Sequence, residues 1–173
     1  MMSVPPASAL TLLVSSVRVP GGRVTFAADE FGVVRAGTFR GREDLRVPAD
    51  ARLRSAATAG VNEALEAYAD GDVDALTAVR VDQPGSPFQQ ECWSAMRGIR
   101  AGVVVTYGEL AARAGRPRAH RAAGSACARN AVAPFVPCHR VVASDGSLGG
   151  YGYGLDVKHA LLAHESDWIT RSG

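Results

Sequence analysis

Short apolar runs alternate with turn signals at the beginning of the chain. Residues 9–17, 23–27 and 32–39 are rich in Val, Leu, Thr and Phe, a composition that is typical of strands. Residues 20–22 (Pro-Gly-Gly) and 29–30 (Asp-Glu) separate these runs and suit turns. The pattern therefore predicts a meander of β-strands.

The stretch that follows has the spacing of an amphipathic helix. Residues 51–68 are predicted to be helical, and Asp50 is the predicted N-cap. The apolar face of this helix consists of Val61, Leu65 and Tyr68. Residues 76–81 are predicted to form one more strand.

Two prolines and a glycine then interrupt regular structure at residues 83–87, Gln-Pro-Gly-Ser-Pro. We expect a domain boundary here, between an α+β domain of residues 1–82 and a mainly helical domain of residues 83–173. Ser86 is the predicted N-cap of a helix that ends near Ile99. The side chains that this helix is expected to bury are Phe88, Cys92, Trp93 and Met96.

Two further short helices are joined by a turn that contains glycine. Thr106 is expected to cap a helix over residues 107–114 that stops at Gly115, and Pro117 is expected to open a second helix. Such a pair predicts a helix-turn-helix, although paired helices also pack together in proteins that bind no DNA. The predicted fold is α+β: a small N-terminal β-meander plus helix domain, and a mainly helical C-terminal domain with a winged-helix-like helix-turn-helix.

Charge is distributed unevenly between the two halves. Residues 1–82 carry 9 basic and 11 acidic side chains, whereas residues 83–173 carry 10 basic and 6 acidic ones. Residues 110–144 contain six arginines and no acid, and such a cluster attracts phosphate. A solvated basic face explains the same pattern. The only lysine is Lys158.

Several classes of protein are excluded by composition. No apolar run approaches the length of a membrane span, and the first ten residues lack the basic region of a secretory signal, so we expect a cytoplasmic protein. The three cysteines have no framework spacing, which argues against a disulfide scaffold. Cysteine and histidine do not combine at ligand spacing, so no metal site is expected.

Cys138 lies in the motif Val-Pro-Cys-His-Arg-Val-Val over residues 136–142. A thiolate is the strongest nucleophile that a side chain offers, and the nearby histidine and arginines supply positive potential for it. A free cysteine is more commonly a small buried apolar residue, which is the interpretation that we give to Cys92 and Cys127. From the residues alone, a reactive and an inert Cys138 remain equally open.

The chain resembles the methylated-DNA–protein-cysteine methyltransferases, also called O6-alkylguanine-DNA alkyltransferases. The resemblance extends over about residues 84–166 in the family's order and spacing, and residues 1–82 resemble the family's variable N-terminal domain only loosely. The matching segments are residues 88–89 (Phe-Gln), Trp93, 106–111 (Thr-Tyr-Gly-Glu-Leu-Ala), 121–126 (Arg-Ala-Ala-Gly-Ser-Ala), Asn130, 136–142, 146–152 and 161–165 (Leu-Leu-Ala-His-Glu).

The resemblance implies a role for each of five residues. Cys138 is the expected alkyl acceptor, and His139 is the base that keeps its sulfur a thiolate through a water molecule. Glu165 is the carboxylate that orients the histidine. Tyr107 is the hydroxyl that hydrogen-bonds the departing guanine, and Asn130 helps to organise the turn that carries the cysteine.

The resemblance also implies the substrate and how it is bound. We expect the substrates to be O6-alkylguanine and also O4-alkylthymine, flipped out of double-stranded DNA. A monomer is expected to bind this DNA through the minor groove, and no cofactor is expected. Arg121 is expected to fill the gap that the nucleotide leaves. The other expected DNA contacts are Thr106, Arg118, Ala119, Ala122, Gly124 and Ser144. The expected base and alkyl pocket consists of Val136, Leu148, Tyr151, Gly152 and Tyr153.

The sequence departs from the family pattern at three positions. Ala131 follows Asn130 where the family commonly has proline, and Arg100 stands where a proline is common. Tyr153 interrupts the glycine run of the pocket loop and is expected to narrow the pocket. Three other functions stay open: a lesion-binding alkyltransferase-like module that transfers nothing, a transcription factor and a Cys-His hydrolase.

Overall fold

The computed structural model describes the backbone of residues 9–172 and the side chains of residues 9–166. Residues 1–8, which carry most of the segment where no secretory signal is expected, lie outside the described residues. Within the described part of the chain, no helix is long and apolar enough to cross a membrane.

The N-terminal meander is confirmed. Its three strands are β1 (Thr11–Val19), β2 (Gly22–Ala28) and β3 (Val34–Thr38), and β2 pairs antiparallel with both neighbours. Gly21 adopts a φ of +91° in the turn between β1 and β2, a conformation that favours glycine. The sequence missed a fourth strand, β4 (Arg52–Ser55), which pairs parallel with β1 and gives the order β3-β2-β1-β4. This strand lies at the sheet edge, where exposed polar side chains are usual and the apolar signal is weak.

The first helix begins later than the sequence predicts. Helix α1 comprises Val61–Asp70, so the prediction of a helix from residue 51 with Asp50 as its N-cap is wrong. The cap is Gly60, whose backbone N–H donates to the Glu63 carboxylate at 2.9 Å. Its buried face, Val61, Leu65 and Tyr68, is the predicted one.

The strand predicted over residues 76–81 is largely wrong. Ala75–Ala78 form a 3-10 helix, and only Val81 makes a bridge, to Val34 of β3. Six residues are too few for a hydrophobic period to distinguish the two structures.

The C-terminal half consists mainly of helices, as predicted. Ser86 caps α2 (Pro87–Arg97) through its hydroxyl, and Thr106 caps α3 (Tyr107–Arg113) in the same way. Helix α4 (His120–Ala128) begins three residues after Pro117, because residues 116–119 form a turn closed by the Ala119 N–H and the Arg116 carbonyl. The last helix is α5 (Leu155–Ser172).

A short pair of parallel strands completes the helix-turn-helix region. Strand β5 (Val105–Thr106) leads directly into α3 and pairs with β6 (Val141–Val142). This pairing brings the segment after Cys138 against the beginning of the helix-turn-helix.

One continuous hydrophobic core joins the two halves of the chain. Phe26 of β2 contacts Phe135 edge to face, with ring centroids 6.0 Å apart, and the indole N–H of Trp93 donates to the Ala126 carbonyl at 2.9 Å. The boundary near residue 82 stays a prediction, since apolar side chains from both sides of it pack in the same cluster.

Candidate active site

Cys138 lies in a tight turn that exposes its sulfur to a cavity. Cys138–Arg140 form a single turn of 3-10 helix, so the three side chains diverge instead of alternating along a strand. The Cys138 residue is 7% exposed, and it lines a cavity of about 470 Å³. The other residues that line the cavity are Arg40, Arg46, Tyr107, Gly124, Cys127, Ala128, Asn130, Gly150, Tyr151, Gly152 and Tyr153.

Near the cysteine, the buried carboxylate of Glu165 accepts hydrogen bonds from three side chains. One oxygen of Glu165 accepts from His139 Nε2 at 2.8 Å and from the Tyr68 hydroxyl at 2.9 Å. Arg140 donates from Nε and Nη2 to the two Glu165 oxygens, at 3.0 and 2.9 Å. Burial by itself would raise the pKa of Glu165, but His139 and Arg140 outweigh it and lower that pKa to about 2. Glu165 is therefore ionised at neutral pH.

The carboxylate decides which nitrogen of His139 carries the proton. An ionised carboxylate can only accept, so His139 Nε2 must donate. Burial lowers the pKa of His139, an effect that Glu165 only partly offsets, and the ring is therefore neutral. Nδ1 is left with a free lone pair, and this buried atom has no hydrogen-bond partner in the described residues. His139 thus presents a base.

Asn130 donates directly to the cysteine. Its Nδ2 lies 3.2 Å from Cys138 Sγ and 2.8 Å from the Val136 carbonyl. Its Oδ1 accepts from the Val132 backbone N–H at 3.1 Å. A donor aimed at the sulfur stabilises negative charge there.

The resting sulfur is a thiol. Burial raises the pKa of Cys138, while the hydrogen bond from Asn130 and the charge of Lys158 lower it only in part. This direction does not favour the thiolate that His139 is expected to maintain, and that role of His139 stays a prediction.

Lys158 is a functional residue that the sequence analysis noted only as the single lysine. Its side chain is fully buried, and Nζ donates to the carbonyls of Val141, Leu148 and Gly150 at 2.7, 2.5 and 3.3 Å. The ammonium therefore holds the loop of residues 148–150 against β6. The one signal in the sequence was a single lysine among apolar positions, since a fully buried lysine without a carboxylate partner is rare.

Aromatic side chains form the wall of the cavity. Burial raises the pKa of Tyr107, so its hydroxyl keeps its proton. Tyr153 contacts the rings of Phe39 and Tyr151, each at 5.5 Å between centroids. Arg40 donates from Nη2 to the Gly152 carbonyl at 2.8 Å, and its guanidinium lies 5.8 Å from the Tyr153 ring centroid. The N-terminal half thus contributes directly to this wall, which the sequence analysis missed.

Some expected pocket residues lie elsewhere. Val136 is buried in the core and lines a second cavity, on the side of Gln90 and Arg97. Leu148 does not line the cavity of Cys138, but its carbonyl binds Lys158. Cys127, interpreted as a plain core residue, does line that cavity, and burial raises its pKa far above the usual range.

The residues expected to contact DNA lie on α4, just before α3 and α4, and shortly after β6. Gly124 of α4 lines the cavity itself, with Tyr107 as its nearest neighbour. Thr106 and Ala119 are half-buried at the beginnings of α3 and α4. The exposed members of the set are Arg118, Arg121, Ala122 and Ser144. The basic surface and the thiol cavity therefore share one helix.

The geometry describes a class of protein: a buried nucleophilic thiol with a histidine-carboxylate pair, placed beside a helix-turn-helix. Comparison with known proteins gives the same answer. The family described as "6-O-methylguanine DNA methyltransferase, DNA binding domain" matches residues 87–167. A methylated-DNA–protein-cysteine methyltransferase of Methanosarcina barkeri is 36% identical over 151 residues, which cover 87% of this chain and 95% of that protein. One of Salmonella typhimurium is 40% identical over 114 residues, 66% of this chain and 67% of that protein.

Solved structures agree with this result. The crystal structure of Mycobacterium tuberculosis OGT in complex with DNA superimposes with a TM-score of 0.77 at 34% identity, over 92% of this chain and 94% of that one. The chain belongs to the family of methylated-DNA–protein-cysteine methyltransferases. Membership of this family confirms the resemblance inferred from the motifs of residues 84–166.

Proposed function

We propose that this protein repairs DNA by moving the alkyl group of O6-alkylguanine to Sγ of Cys138. The observation that carries the proposal is one cavity in which the buried thiol of Cys138, the Asn130 donor and the Tyr107 hydroxyl meet, with α4 at its mouth. All of these groups come from a single chain, so we propose that a monomer acts.

The lesion has to leave the duplex to reach the sulfur. A stacked guanine presents its O6-alkyl group only at the major-groove edge of the base pair, and Cys138 lies at the inner wall of a cavity instead of on a surface. We therefore propose that the nucleotide is flipped into the cavity. The small residues of α4 allow close approach to the minor groove, and Arg121 is exposed there to occupy the gap.

The chemical step is an in-line displacement at the alkyl carbon. The S–C bond forms as the O6–C bond breaks, and the bonding electrons remain with guanine. The thiol proton passes through a water molecule to Nδ1 of His139, the free base in the neutral ring. Asn130 donates to the sulfur while charge develops on it.

The departing guanine anion takes up one proton from the Tyr107 hydroxyl, which keeps its proton at neutral pH and lines the cavity. The proton held by His139 then returns through water to the tyrosine, so the net change is the move of the thiol proton to guanine. The thioether that forms has no acyl carbon for water to attack, so each molecule reacts once. O4-alkylthymine carries the same kind of alkyl ether on a smaller ring, and we include it as a second substrate.

A lesion-binding module that transfers nothing is the alternative. The hydrogen bond from Asn130 to Sγ and the neutral His139 favour transfer, since neither is needed to hold a base. A hydrolase would need donors for an oxyanion. The donors of this cavity, Asn130 and Tyr107, are assigned here to the sulfur and to the leaving base.

Transfer is tested by mass. After incubation with a duplex that contains O6-methylguanine, intact mass should rise by one methyl group per molecule and stop there, and peptide mapping should place the methyl on Cys138. Cys138→Ala should show no gain while still binding DNA, and Cys92→Ala, a buried cysteine outside the cavity, should react like the wild type. Tight binding without any mass gain in the wild type would establish the non-catalytic alternative.

Arg121→Ala should slow repair of duplex DNA by about 10-fold or more, because the extruded state loses the side chain that stabilises it. Reaction with free O6-methylguanine should stay within about twofold, since no duplex has to be held open. Arg18→Ala on β1 removes an equally exposed arginine far along the chain and serves as the control. Equal slowing with both substrates would mean that Arg121 does not act on the duplex.

Tyr153→Gly should speed inactivation by O6-benzylguanine by about 10-fold, because the ring that narrows the cavity is removed. The rate with O6-methylguanine should change much less. Tyr153→Phe keeps the ring and should behave like the wild type. Equal O6-benzylguanine rates in the wild type and Tyr153→Gly would show that the ring does not set alkyl size.

A further inference from the structure

Gln83 connects the segment between the two halves to the active-site turn. Its side chain is buried, with 4% of the residue exposed. Both ends of its amide are used: Oε1 accepts from the Ala131 backbone N–H at 2.8 Å, and Nε2 donates to Asn130 Oδ1 at 3.0 Å. Its own carbonyl accepts from the Gln90 side chain at 2.7 Å.

These contacts fix the direction in which hydrogen bonds run toward the sulfur. A backbone N–H can only donate, so Ala131 requires the oxygen of Gln83 on its side. The NH₂ group of Gln83 must then face Asn130, which accepts this hydrogen bond with its side-chain oxygen. The NH₂ group of Asn130 is thereby turned to the Cys138 sulfur at 3.2 Å, and the Val132 N–H and the Val136 carbonyl act in the same direction as Gln83.

We propose that Gln83 is a positioning residue for alkyl transfer: it holds the Asn130 amide so that its N–H, and not its oxygen, faces the nucleophile. Gln83 touches neither the sulfur nor the cavity, so it acts through Asn130. The proposal rests on the function proposed above, in which charge develops on Sγ during attack. If the Asn130 amide were reversed, its oxygen, which carries a partial negative charge, would face that sulfur.

Ala131 makes this arrangement possible. A proline at this position would have no N–H to offer. The bond from Ala131 to Gln83 therefore depends on a residue with a backbone N–H at position 131. Gln83 and Ala131 together fix the segment that leads to Cys138.

The sulfur also faces other charged and titratable groups, which the test has to leave in place. They are Arg40, Arg46, Tyr107 of α3, Cys127 of α4, Tyr151 and Tyr153, which line the same cavity, and Lys158 of α5, whose charge lowers the pKa of the thiol. None of them accepts a hydrogen bond from the Gln83 side chain. Replacing Gln83 by an uncharged residue alters the donor to the sulfur and no charge.

The test compares four variants with the wild type: Gln83→Leu, Gln90→Leu, Asn130→Ala and the double variant Gln83→Leu/Asn130→Ala. Gln90→Leu is the matched control, because it removes one hydrogen bond to the same segment without touching Asn130. The rate of Cys138 alkylation by iodoacetamide is followed against pH by mapping that peptide, and transfer from an O6-methylguanine duplex is measured in parallel. Thermal unfolding reports any loss of fold.

We expect Gln83→Leu to react about 5- to 10-fold more slowly at neutral pH, with the midpoint of its pH profile raised by up to about one pH unit. Gln90→Leu should keep the wild-type profile. The double variant should react no more slowly than Asn130→Ala, because residues that act through one another are not additive. An unchanged pH profile in Gln83→Leu, or additive losses in the double variant, would overturn the proposal.

The two proposals fail separately. If the wild type takes no methyl group from the duplex, the proposed function is wrong, whereas the iodoacetamide profiles still decide whether Gln83 acts on the thiol. If transfer occurs but the profiles of Gln83→Leu and the wild type coincide, only the role of Gln83 is lost.

Discussion

A single buried carboxylate holds this molecule's chemistry in place. Glu165 is fully buried near the end of the described part of α5, yet it stays ionised because Arg140, Tyr68 and His139 all donate to it. Those partners come from α1 and from the turn of the cysteine. Removing one partner of such a buried pair typically costs about 3–5 kcal/mol. These buried hydrogen bonds therefore tie both halves of the chain to the turn that carries Cys138.

The hydrogen bonds of Glu165 also determine which groups near the sulfur carry protons. Because Glu165 accepts a hydrogen bond from Nε2–H, the His139 ring keeps a free lone pair on Nδ1. Burial lowers the pKa of His139 and raises that of the Cys138 thiol. Under the proposed function, this protonation keeps the resting thiol unreactive until a flipped base fills the cavity. The groups proposed as donors to the sulfur and to the leaving base, Asn130 and Tyr107, both line that cavity.

Local patterns in the sequence predicted much of the fold and only part of the site. Capping residues such as Ser86 and Thr106 predict where their helices begin, because each hydroxyl accepts from a backbone N–H only three residues later in the sequence. Edge strand β4 and the late beginning of α1 depend on tertiary pairing, which no local pattern records. The motif residues gave Cys138, His139, Glu165 and Asn130, whereas Gln83, Arg40 and Lys158 reach the site across long sequence separations. Buried hydrogen bonds between distant segments leave no periodicity to detect.

The central claim is that the carboxylate fixes the tautomer of His139 and leaves Nδ1 free for the thiol proton. Nitrogen NMR of protein labelled in its histidines measures this directly, with His139→Gln used to assign the signal. Around neutral pH, the account predicts a neutral His139 ring with its proton on Nε2 and an unprotonated Nδ1. A ring protonated on Nδ1, or an imidazolium at that pH, would contradict the account.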